Sequence, residues 1–252
     1  MMARPLPATT RILWVLAAVA IGTGGMPARA QVQTSPSGTD GVYHAPEKSE
    51  RLTLEPGATL RPLLGAVRSA AAAFDQRTWN KITTQEIGLA TFDRFENLFE
   101  KERIQRITAS FREGYSQVYV NLPEAIIVTA VEMDDAAAAT DYYRMEIQSL
   151  QVTLDGINQS EDGRAEVTLE EDIALADLDQ GFDKRYEVRL GDSPPSQFRV
   201  LFGRAGRYTM LVTFLQSSVG DDEARDLLRL LAGEVHAVAS ATRAPATPPQ
   251  AR

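Results

Sequence analysis

Residues 125–143 read AIIVTAVEMDDAAAATDYY, an apolar run followed by two aspartates and then a run rich in alanine. The first run is apolar on both faces of an extended chain, which predicts a central β-strand. Residues 115–120, YSQVYV, precede it across a segment containing Pro123, so these runs predict a β-hairpin. The alanine-rich run predicts a helix that begins just after the aspartates.

The two aspartates, Asp134 and Asp135, stand at a junction that recurs before the closing helix, where Asp221 and Asp222 follow a second apolar strand. A carboxylate at a helix start accepts hydrogen bonds from free backbone N–H groups, and the positive end of the helix dipole favours it. Capping therefore accounts for both pairs without a ligand. The recurrence fits a diverged duplication or the ordinary use of acidic caps between strands and helices.

Outward from this stretch, apolar periodicity predicts the remaining elements. Further strands are predicted in AEVTLEE, RYEVRL, FRVLF and RYTMLVTFL. Helices are predicted near residues 60–76, 135–150 and 222–238, and another amphipathic stretch is TFDRFENLFEKERIQRI. We predict an α+β domain in which a mostly antiparallel sheet of about five to seven strands carries helices packed on one face.

The first thirty residues have the composition of a leader. Arginines precede an apolar run from Ile12 to Ile21, and the small residues ARA end at Ala30. This pattern predicts a secretory signal peptide over residues 1–30. The apolar run is about half the ~20 residues that span a membrane, although an uncleaved anchor is the alternative. After cleavage we expect no stable membrane anchor and a periplasmic or secreted protein.

The remaining chain divides by composition. Residues 31–57 are rich in proline, glycine and polar residues, which predicts a disordered lead-in. Residues 240–252 predict a disordered Pro/Ala tail, which leaves a single α+β domain over residues 58–239. The chain has no cysteine, which excludes disulfides, thiolate ligands and a lipidated cysteine. Its net charge of −8 offers no basic stripe for nucleic acid.

Three groups of side chains are candidate ligand sites. Asp177, Asp179 and Asp183 are spaced like the oxygen ligands of a calcium loop, although Phe182 and Val188 replace the glycine and the glutamate that an EF-hand requires. The alternative is a solvated acidic loop, and no other cofactor is indicated.

The other two groups are basic and aromatic. Arg204 and Arg207 flank a predicted hairpin turn, where they could bind an anion or remain solvated. Tyr142 and Tyr143 are successive on a helix, so we expect Tyr143 to pack inward and Tyr142 to lie at the edge of a ligand groove.

Catalytic motifs are missing from the sequence. The two histidines are His44, in the lead-in, and His236, near the end of the closing helix. This placement argues against a zinc site or a Ser-His-Asp triad. A pair of carboxylates acting as acid and base is the one chemistry left open.

Four segments together resemble a group of exported bacterial proteins of unknown function: FENLFEKE, YSQVYV, AIIVTAVEMDDAAAATDYY and RAGRYTMLVTF with the ARDLLRLLAGEV that follows. Their layout is similar to actinobacterial extracellular sensor domains and small lipoproteins, which have a helix-and-curved-sheet plan. The chain departs from the lipoproteins in lacking their cysteine, and from the sensor proteins in lacking a kinase or a spanning helix. The resemblance implies fold and location, and it brings no catalytic residues.

We therefore predict an exported, non-enzymatic binding or accessory protein of the bacterial envelope, whose partner is an unknown envelope protein or a small molecule. Its ligand is expected on an open sheet face or in a groove beside Tyr142. The alternatives are a carboxylate-based periplasmic hydrolase and a calcium-stabilised structural domain.

Overall fold

The computed structural model describes residues 61–74, 77, 79–121 and 123–243. In chain order the elements are α1 (Pro62–Ala71), a 3₁₀ turn (Ala72–Phe74), β1 (Lys81–Glu86), a 3₁₀ helix (Leu89–Phe95), α2 (Lys101–Ser110), β2 (Phe111–Asn121), β3 (Glu124–Met133), α3 (Ala136–Gln159), β4 (Gly163–Asp172), β5 (Gln180–Leu190), β6 (Ser196–Ala205), β7 (Tyr208–Leu215) and α4 (Asp221–Arg243). The predicted signal peptide and lead-in lie outside the described residues. Helix α4 continues to Arg243, so the predicted start of the tail at residue 240 falls within it.

One seven-stranded sheet has the order β1-β2-β3-β7-β6-β5-β4, and every neighbouring pair is antiparallel. The predicted hairpin is β2–β3, and β3 is central, so the α+β class and the antiparallel sheet are confirmed. Strand β1 was not predicted. Its sequence KITTQE contains a single large apolar residue, Ile82, which is 49% exposed at the edge of the sheet. An edge strand that buries so little has no alternating pattern to detect.

The helices lie on both faces of the sheet, which differs from the predicted single face. Ile126 and Val128 of β3 pack in one cluster with α1 and α4. Val131 and Met133 of the same strand pack on the opposite face with α3. The physical reason is that a strand apolar on both sides must be covered on both sides. The covered faces leave no open apolar surface on the central strands.

Helix α3 is itself enclosed on two sides, and this changes the position of Tyr142. Tyr143 packs toward the sheet, with its ring centroid 6.0 Å from that of Phe202. Tyr142 is only 4% exposed, because Phe92 and Phe95 of the 3₁₀ helix lie 5.6 and 6.3 Å from its ring. The predicted single amphipathic helix is divided into that 3₁₀ helix and α2, which fold back over α3. The prediction that Tyr142 lies at a groove edge is therefore wrong.

The aspartate pairs are used in different ways. The Asp135 carboxylate accepts a hydrogen bond from the backbone N–H of Ala138 at 2.8 Å, so capping of α3 is confirmed. Asp134 instead accepts from Arg112 at 2.7 Å. Asp221 is the first residue of α4 and accepts from two arginines of β5 and β6. Asp221 thus anchors its helix to the sheet by charge.

Candidate functional site

A groove lies at one end of the sheet, beside the turn between β6 and β7. Three segments line it: residues 176–179 of the loop before β5, the turn at residues 205–208, and the last turns of α4 from Val235 to Ser240. We call it the hairpin groove. Its volume is about 410 Å³, within the range of small-molecule sites.

The loop and the turn form one rigid frame. Gly206 has φ +55°, a left-handed conformation that glycine adopts without strain, and this closes the turn. Asp179 joins the loop to the turn, since its Oδ2 accepts from the N–H of Gly206 at 2.7 Å and from Nη1 of Arg204 at 2.9 Å. The Asp179 N–H also donates to the carbonyl of Arg204 at 2.8 Å. These contacts hold two walls of the groove in fixed register.

The floor of the groove is apolar. Leu178, Ala205, Val235 and Ala239 line it, and Val235 is fully buried in the core beneath α4. Leu178 approaches the sheet so closely that a Cβ at Gly203 would lie 3.0 Å from its Cδ2. The glycine in β6 therefore permits the loop to close down on the sheet, which sets the depth of the groove.

The basic side chain in the groove already has partners. Nη2 of Arg207 lies 2.8 Å from Oε1 of Glu132 and donates to the Tyr208 hydroxyl at 3.3 Å. Burial raises the pKa of Glu132, while the Arg207 guanidinium opposes that rise. The hydrogen bond from Arg207 to Tyr208 is the main cause of a raised pKa for the arginine. Arg207 thus neutralises a buried carboxylate and lines the groove as one half of an ion pair.

Asp177 is different, because it is half-buried in the groove and forms no ion pair or side-chain hydrogen bond within the described residues. His236 stands on the opposite wall, exposed on α4. Sequence reasoning placed His236 only near a helix end, where a cation complements the dipole. Tyr208 was missed as well. No local sequence pattern indicates that His236 or Tyr208 lines the groove. The packing of α4 against the turn between β6 and β7 brings the two residues together there.

Four of the six predicted site residues meet at this groove: Asp177, Asp179 and Arg207 line it, and Arg204 braces its frame through Asp179. Asp183 does not reach it. Its side chain is 0% exposed and faces α4, and it binds Arg199 of β6 and Arg225 of α4. The described residues contain no group of three or more histidine, cysteine or acidic side chains that could hold a metal ion.

The space beside Tyr142 is closed. A cavity of about 10 Å³ remains there, enough for roughly one water, lined in part by Arg94 and Glu146. Arg94 and Glu146 form a buried ion pair under the 3₁₀ helix. A wider depression of about 960 Å³ runs between that helix and α2, but none of the predicted site residues reaches it. The hairpin groove is therefore the candidate site.

Comparisons with known proteins give little sequence similarity. No protein-family model matches the chain, and no curated protein matches it. An uncharacterised protein from Mycobacterium smegmatis, the Rv0999 ortholog, is similar over 66% of this chain and 95% of its own, at 13% identity and a TM-score of 0.37. The extracellular domain of PknH from Mycobacterium tuberculosis is similar over 66% of this chain and 90% of its own, at 6% identity and a TM-score of 0.39.

Both neighbours are mycobacterial, and TM-scores this low support no inference about this chain. Within residues 61–243, leaving out the undescribed positions, no helix has the length and apolar character to cross a membrane.

Proposed function

We propose that this chain is an exported, non-enzymatic binding protein of the bacterial envelope and that its ligand occupies the hairpin groove. The observation that supports the proposal is a groove of about 410 Å³ with a fixed frame, an apolar floor and one carboxylate, Asp177, that has no partner among the described residues. Such a combination of apolar surface and few polar groups is typical of ligand sites. Export rests on the predicted signal peptide, and the destination is the periplasm or the medium.

Binding fits the charges in the groove better than catalysis does. A two-carboxylate hydrolase needs an acid and a base that both face the substrate. Of the two aspartates that line the groove, Asp179 already accepts hydrogen bonds from Arg204 and Gly206. One free carboxylate suffices to bind a ligand, whereas it does not supply the acid–base pair.

The test uses the protein as its own host processes it, purified from the envelope without chelator and weighed by native mass spectrometry. Ala239 faces the groove, so Ala239→Phe should fill it, while Ala237→Phe adds the same ring to the exposed side of the same helix. We expect a bound mass in the wild type and in Ala237→Phe that is lost in Ala239→Phe. A bound mass that survives Ala239→Phe, or a bare chain throughout, contradicts the proposal.

Two other outcomes would redirect the assignment. Release of sugar from host glycan that stops in Asp177→Asn would favour the carboxylate-based hydrolase. A rise in melting temperature with calcium that Asp179→Ala removes would favour the calcium-stabilised structural domain.

A further inference from the structure

Some of the charged side chains that line the hairpin groove form ion pairs with other residues, and one does not. Asp179 is paired with Arg204 at 2.9 Å, and Arg207 is paired with Glu132 at 2.8 Å. Asp177 has no partner among the described residues. Apart from His236, the side chains that line the groove therefore carry one uncompensated negative charge, that of Asp177.

We infer that the ligand of the hairpin groove is an organic cation, an ammonium group on a compact apolar body, with the ammonium on Asp177. This inference rests on the proposed function, and it adds the chemical class of the ligand.

The burial of Asp177 supports a cation. A half-buried carboxylate loses part of its hydration, and an opposite charge brought beside it compensates that loss. An anion has no equivalent partner. To bind one, Arg207 would give up its 2.8 Å contact with Glu132, which is 8% exposed and would keep only Arg112, at 4.0 Å, as a cationic partner among the described residues.

The floor and the volume support an apolar body. Leu178, Ala205 and Ala239 are partly exposed and offer aliphatic surface in the groove, and about 410 Å³ accommodates a ring or a short chain. The net charge of −8 on the full chain also attracts cations to the surface before they reach the groove. Hydrated metal ions would gain nothing from this aliphatic floor.

The experiment compares three probes with the same ring and different charge: benzylamine, benzyl alcohol and benzoate. Each is titrated at pH 8 into the host-processed protein labelled with ¹⁵N, with the backbone amides of Gly206 and Ala239 as reporters. We expect benzylamine to shift both amides and to bind about tenfold more tightly than either other probe, a typical difference for one partly desolvated ion pair. Asp177→Asn should abolish this preference, and Asp177→Lys should reverse it in favour of benzoate.

Asp222→Asn is the matched control, because Asp222 is exposed at the far end of α4 and its loss removes the same charge from the chain. It should leave the preference unchanged. The melting temperature of each variant verifies folding, and Asp177→Lys supplies a positive signal that a misfolded variant would not give.

The failure of this inference can be told apart from failure of the proposed function. If benzyl alcohol or benzoate binds as tightly as benzylamine and Ala239→Phe blocks that binding, the groove is a ligand site and the inference about charge is overturned. If benzylamine shifts neither amide at about 20 mM, where a millimolar Kd would be saturating, the inference is also overturned. The proposed function is then tested separately by native mass spectrometry, which shows whether the protein from its host carries a bound mass that Ala239→Phe removes.

Discussion

Replacing Asp183 by asparagine should destabilise the fold strongly. The Asp183 side chain is 0% exposed between β5 and α4. Its two oxygens accept from Nε and Nη2 of Arg199 at 2.9 and 2.5 Å, and Nε of Arg225 lies 3.3 Å away. This bidentate pair joins β5 to β6, and it holds the first turns of α4 through Arg225 on Asp183 and through Asp221 on Arg199.

The size of the loss in unfolding free energy depends on the charge that stays buried when Asp183 is replaced, which is that of Arg199. The Arg199 side chain is 7% exposed, and without Asp183 its remaining carboxylate is Asp221, which is 58% exposed. Removing one member of a buried ion pair costs about 3–5 kcal/mol, because the other charge stays in the interior without compensation. For a chain of this size that corresponds to a fall in melting temperature of about 6–20 °C.

Urea unfolding followed by circular dichroism measures the effect. The double variant Asp183→Leu with Arg199→Met should be more stable than Asp183→Asn, because it leaves no charge behind and keeps a similar volume. The control is Asp226→Asn, which removes an exposed partner of Arg229 and should change the free energy of unfolding by less than about 0.5 kcal/mol. A loss below about 1 kcal/mol in Asp183→Asn would refute the argument from buried charge.

Three further predictions concern single side chains. Gly65→Ala in α1 should stabilise by about 0.5–1 kcal/mol, because among the described residues nothing outside the helix's own nearby backbone lies within 4 Å of the new Cβ, and alanine favours the helix. Gly206→Ala should destabilise by about 1 kcal/mol because φ there is +55°. Thr213→Val should leave stability unchanged or raise it, since the buried Thr213 hydroxyl has no hydrogen-bond partner among the described residues. Thr209→Val should cost about 1 kcal/mol by removing the hydrogen bond to the Ala139 carbonyl. Burial raises the pKa of Tyr143 to about 12, so the folded state holds this proton more tightly than the unfolded chain, and stability should fall as the pH rises from about 10 toward 12, less steeply in Tyr143→Phe.

Chemical denaturation measures the first two pairs, and a pH series of the same measurement with absorbance near 295 nm follows the tyrosine. Equal effects of Gly65→Ala and Gly206→Ala would contradict the backbone argument. A larger loss in Thr213→Val than in Thr209→Val would contradict the assignment of their hydrogen bonds. An unchanged slope in Tyr143→Phe would show that other groups control alkaline unfolding.

The local pattern of apolar residues was sufficient to predict the helices and strands that bury one or both faces. The strand at residues 124–133 is apolar on both sides, and this alone places it centrally and predicts the hairpin with β2. Asp135 was identified as a cap because capping involves atoms only three residues apart. The same logic failed for β1, whose polar sequence at a sheet edge leaves no period, and for Tyr142, which is covered by residues about fifty positions earlier.

The sequence by itself therefore determined the α+β class, the central hairpin, the lack of cysteine chemistry and the prediction of export, because each depends on composition or on periods of two and 3.6 residues. Only the tertiary structure decided that Asp177 and Arg207 share a groove with His236, and that Asp183 does not. Strand order and helix docking bring these residues together from distant positions, and no local period encodes such long-range contacts.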